Sequence, residues 1–97
     1  MVKFAFLVRL EAKPGKEQEV AEFMKSALEL AQKETKTQNW FGLQFGPASF
    51  GVFDTFETEE DRTTHLNGEL AANLMKRAPD LFATPPTIEP INILAVK

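Results

Sequence analysis

Three short segments of this chain alternate so as to place apolar side chains on both of their faces, and only two helical segments remain to cover them. In residues 2–12, Phe4, Phe6, Val8 and Leu10 share one face, while Ala5, Leu7, Arg9 and Glu11 share the other. From Asn39 to Phe45, Phe41, Leu43 and Phe45 oppose Trp40, Gly42 and Gln44. From Phe50 to Phe56, Phe50, Val52, Asp54 and Phe56 oppose Gly51, Phe53 and Thr55. A chain of 97 residues makes one domain and has no further layer for the far side of a sheet. A bare face carrying several Phe exceeds the apolar patch that a soluble monomer tolerates. A second copy is the simplest cover, so a homodimer is expected.

The remaining segments read as helices and turns. Lys13-Pro14-Gly15 breaks the first strand. Val20, Phe23, Met24, Ala27, Leu28 and Ala31 then recur at helical spacing up to about Lys33, with Glu17 and Glu19 at the positive end of the helix dipole. Thr35 to Gln38 is a polar connection, and Gly46-Pro47-Ala48-Ser49 turns a hairpin. Thr58 is placed to cap a second helix at the backbone of Asp61. Asn67-Gly68 predicts a kink in that helix and Ala78-Pro79 its end. After Pro85-Pro86, Ile88 to Val96 predicts a final strand. The order βαββαβ predicts an α+β, ferredoxin-like fold: a four-stranded antiparallel sheet with helices on one face.

Composition narrows the chemistry. Without cysteine there is neither a disulfide nor a Cys-based zinc site, which agrees with a reducing compartment. A single His gives poor support to any metal site, and none is expected. The net charge is −3 with both signs scattered, and no basic patch interleaves with aromatics, so nucleic acid is not an expected partner. The apolar run between Lys3 and Arg9 is too short for a secretory signal or for a membrane span of about 20 residues. A cytoplasmic protein with no membrane partner is expected. Neither G-x-G-x-x-G nor a P-loop is present, so no nucleotide cofactor is indicated.

Asp54 interrupts an otherwise apolar strand face, and an ionised carboxylate there is costly unless paired. The candidate partners are His65 and Arg62, three apart on one helix, and Arg9 on the first strand. With no Tyr or Cys in the chain, His65 is the natural acid–base group near neutral pH. In the functional reading His65, with Asp54 and Arg62, takes a phenolic proton. Trp40, Asn39 and Arg9 then contact the substrate. In the structural reading Asp54 ties strand to helix, and Trp40 is a core or dimer residue. Ser49 with His65 and Asp54 could be written as a triad, but no nucleophile-elbow motif surrounds it.

The stretch from Trp40 to Pro47, then Phe50 to Phe56, then His65-Leu66-Asn67-Gly68 resembles the antibiotic biosynthesis monooxygenase family over essentially the whole chain. Val8-Arg9-Leu10 with Lys13 to Glu17, and Pro85 to Pro90, are similar to one bacterial branch of it. The resemblance implies a dimeric α/β barrel, in which two sheets pack face to face and each subunit holds a pocket between sheet and helices. It also implies oxidation of a small aromatic or quinol by O₂ without a cofactor. The residues depart from the active patterns. A haem-degrading branch has Asn, Trp and His where this chain has Val8, His65 and Met75, and the polyketide-oxidising branch has an Asn at the position of Lys36 and a Tyr. Only Trp40 carries over. A non-catalytic barrel binding a small apolar ligand, and an acid–base enzyme such as an isomerase, therefore stay open beside the monooxygenase.

Overall fold

The computed structural model describes residues 1–97. The elements run β1 (Phe4–Glu11), α1 (Glu17–Lys33), β2 (Asn39–Gln44), β3 (Ser49–Phe56), α2 (Glu59–Leu66), α3 (Glu69–Leu81) and β4 (Thr87–Asn92). The strands form one antiparallel sheet in the order β2-β3-β1-β4, so the ferredoxin-like expectation holds. Gly15, at φ 86°, supplies the left-handed residue of the turn into α1, which the Lys16 N–H closes onto Lys13 O at 2.9 Å. Thr58 caps α2 as predicted, accepting from the Asp61 N–H at 3.0 Å.

Three boundaries differ from expectation, each for a physical reason. Asn67-Gly68 separates two helices and does not merely kink one, because Gly68 is extended, at ψ −179°, and serves as the N-cap of α3. Pro79 does not stop α3, which continues to Leu81. The bond it forfeits is to Met75 O, on a half-exposed turn where water can serve, and Lys13 Nζ donates to its own carbonyl. The last strand ends at Asn92 and not Val96, because Asn92 pairs with Phe4, where β1 begins. Beyond it only the Ile93 N–H finds the sheet, at Lys3 O, and Leu94 is 97% exposed.

One face of the sheet meets the helices. Phe6, Val8, Leu10, Phe50, Val52 and Phe56 are buried there against Val20, Phe23, Met24 and Leu81. Leu28, expected in this core, is instead 44% exposed at the edge of α1. The other face has no covering element. Across it run Phe41, Phe53 and Leu7 in one row, with Phe41 51% exposed. Phe45 folds back over Gly51, where an added Cβ would lie 2.7 Å from its ring and 2.6 Å from Val8 O. Gly51→Ala is therefore expected to lower stability by about 1–3 kcal/mol, the usual cost of overpacking, measurable by urea unfolding.

Candidate active site

Asp54 stands near the end of β3, opposite Trp40 of β2 and Phe6 of β1, and is 1% exposed. The last turn of α2 carries His65 over it. The imidazole Nε2 lies 3.0 Å from Asp54 Oδ2, and Nδ1 lies 2.5 Å from Glu34 Oε1 at the C-cap of α1. The ring packs on Phe56, with centroids 5.2 Å apart, and more loosely on Phe6. One buried imidazole thus bridges two carboxylates.

The two contacts are unequal. The Nδ1–Glu34 contact is a hydrogen bond, whereas the Asp54 contact is an ion-pair distance without hydrogen-bond alignment. Neither Asp54 oxygen has another donor, although both are fully buried. The imidazole is thus the one cationic group placed to offset the buried carboxylate of Asp54.

Asp54 and His65 are the two polar residues lining a small cavity of about 40 Å³ between sheet and helices, and its other lining side chains, such as Val8, Met24, Trp40 and Leu70, are apolar. Trp40 and Met24 also border an open groove of about 460 Å³ between α1 and β2. Gly42 lies beneath them, with Met24 Cε 3.4 Å and the Trp40 ring 3.6 Å from where its Cβ would be.

Burial of His65 opposes its charged form, but the carboxylates of Asp54 and then Glu34 outweigh that and hold the imidazole above its usual value of 6.5. The folded state therefore binds this proton more tightly than the unfolded chain. The resulting stability is fully present below pH 6.5 and is lost as pH rises through the higher folded value. Urea midpoints should fall on going from pH 6 to pH 9, and fall less in His65→Gln; parallel curves would contradict this.

Of the expected site residues, the structure brings together Asp54, His65 and Trp40. Arg62 does not join them. Its Nη1 donates to Ile91 O at 3.1 Å and Ala5 O at 3.4 Å, and its guanidinium covers the rings of Phe4 and Phe6. It closes the end of the sheet rather than pairing with Asp54, because its side chain lies over β1 and β4. Arg9 sits on the uncovered face, paired with Glu89 at 3.5 Å and stacked on Phe45, since alternation turns it away from the helices. Asn39 accepts from the Thr55 hydroxyl at 2.8 Å on that same face. Both stand apart from the Asp54 cavity. Glu34 was missed. The available signal was a carboxylate just past the last turn of α1, where the helix dipole disfavours it.

No helix is long and apolar enough to cross a membrane. No family model matches the sequence, and neither does any curated protein. Solved structures do match. The Nitrosomonas europaea protein NE2512, described as of unknown function, superposes with a TM-score of 0.97 at 54% identity, over 100% of this chain and 94% of that one. The chain belongs to the family of NE2512. More distant neighbours place that family in a wider fold. A second Nitrosomonas europaea protein, provisionally named an antibiotic biosynthesis monooxygenase, matches with a TM-score of 0.82 at 18% identity, over 95% of this chain and 90% of that one. A Caulobacter crescentus protein of the same provisional name gives 0.81 at 11% identity, over 97% and 92%. The chain thus has the fold of the antibiotic biosynthesis monooxygenases.

Proposed function

We propose that this protein is a cofactor-independent monooxygenase, cytoplasmic and homodimeric, that oxidises a small aromatic or quinol with O₂. The observation that carries the reading is the buried Asp54–His65 pair, whose members are the two polar residues lining an otherwise apolar cavity. A hydroxyl entering there hydrogen-bonds to Asp54. With His65 neutral, the proton passes through the carboxylate to Nε2, and the imidazolium remains as counter-ion to the new phenolate. The dry surroundings strengthen that pairing.

The electron-rich phenolate then gives one electron to O₂, and the two radicals combine at a ring carbon. One oxygen atom stays on the ring as a carbonyl. The other leaves as water, taking the ring hydrogen and the proton stored on His65, so a phenol and O₂ become a quinone and water. A cavity of about 40 Å³ does not hold an aromatic ring, so the substrate enters as Trp40 and Met24 move aside and join the cavity to the groove. Proton abstraction from carbon, as in an isomerase, would use the same pair. The open groove beside Trp40 favours a ligand-binding barrel as the second reading. Oxygen uptake with a panel of hydroquinones and polyphenols separates these. Uptake supports the monooxygenase, and none across the panel, with retained binding of apolar dyes, supports the binding protein.

A further inference from the structure

We propose that Glu34 is a positioning residue of this site: held at Nδ1, it keeps the Nε2 of His65 turned to Asp54 and supplies the negative charge that lets the imidazole take the substrate proton. The inference rests on the oxygenase reading for its catalytic meaning. Its physical content stands on the contacts alone.

Glu34 is itself held in place. Its Oε1 accepts from the Thr37 hydroxyl at 2.7 Å as well as facing Nδ1, and its backbone N–H caps α1 on Ala31 O at 3.1 Å. Its Oε2 lies against Gly68, where an added Cβ would stand 3.5 Å away. Gly68 is the N-cap of α3, so the positive end of that 13-residue helix lies beside a carboxylate that the end of α1 disfavours. A side chain at Gly68 would also press on His65 O, at 3.2 Å. The break between α2 and α3 therefore lies directly against Glu34.

Glu34 also stands on the outer side of the ring. His65 borders both the apolar cavity and a polar cleft at the surface, and Glu34 lines only the cleft. The charged groups around the imidazole are Asp54 from β3, Glu34 from the end of α1, Asp61 and Arg62 on its own helix, Glu69 opening α3, and Lys33 and Lys36 around the cleft. Only Asp54 and Glu34 come within 4.0 Å of a ring nitrogen. Asp54 is the group the substrate engages, and its charge is neutralised while it carries the transferred proton. Glu34 stands on the far nitrogen, off the path of that proton. In proton terms the substrate O–H breaks, the proton crosses Asp54 to form Nε2–H, and Nδ1–H stays on Glu34.

The test is an NMR titration of the single imidazole in wild type and in Glu34→Gln, which keeps length and an acceptor but removes the charge. The imidazole midpoint is expected to fall by about one pH unit in Glu34→Gln, the size of an opposite charge within about 4–6 Å. Thr37→Val, which removes only the hydroxyl on Glu34, should shift it less. An unchanged midpoint in folded Glu34→Gln overturns the proposal, because a purely mechanical tether survives that exchange. If a phenol of the panel is turned over, the acid limb of its rate profile should move to lower pH with the imidazole midpoint. A shifted midpoint without oxygen uptake by any variant leaves the charge-setting role standing and removes the oxygenase reading.

Discussion

Replacing His65 with glutamine is expected to reduce oxygen consumption by about 10²-fold or more, the usual contribution of a positioned acid–base group. The chain has no Tyr and no Cys, so His65 is the one side chain at the site whose ordinary titration range lies near neutral pH. Gln is the better substitution than Ala. On sequence alone, losing a pocket imidazole is a mild change compared with carving out a core Leu or Phe. The structure changes that balance, because truncation to Ala leaves Asp54 buried without its counter-ion, a defect of about 3–5 kcal/mol. Gln retains a donor near the position of Nε2. Equal rates in wild type and His65→Gln, with both folded, would exclude His65 as the base.

Much of this site is legible in the sequence, and the reasons are local. Asp54 betrays itself as a lone carboxylate on an apolar strand face, and alternation puts it on the helix side. His65 follows from helical spacing after the Thr58 cap. Arg62 and Arg9 mislead because formal charge suggests a partner for Asp54 where geometry does not. The guanidinium of Arg62 finds the carbonyls of Ala5 in β1 and Ile91 in β4, and that of Arg9 points to the opposite face. Glu34 is invisible to spacing, since it meets His65 across 31 residues and only because α1 and α2 end at the same corner of the molecule. The strand pattern is likewise readable for β1 to β3. The extent of β4 is not, since it depends on where β1 stops supplying partners.

The uncovered sheet face carries the second large effect. Phe41, Phe53 and Leu7 lie side by side across three strands, with Leu43 and Ile91 in the neighbouring rows. No element of the chain covers them, and a bare patch of this kind is poorly tolerated in water. A second copy presenting the same face would bury both at once, through a self-complementary two-fold contact. Sedimentation at micromolar concentration is expected to give twice the chain mass of 10.9 kDa. Phe53 is the centre of the row, so Phe53→Glu places a carboxylate in the middle of the contact and should weaken association by about 10²-fold or more, as for a central interface residue. The Asp54–His65–Glu34 cluster lies on the other side of the sheet, so the imidazole midpoint should be unchanged in the resulting monomer. A wild-type chain sedimenting at 10.9 kDa would mean that this face is stable in water uncovered, and the homodimer would fall with it.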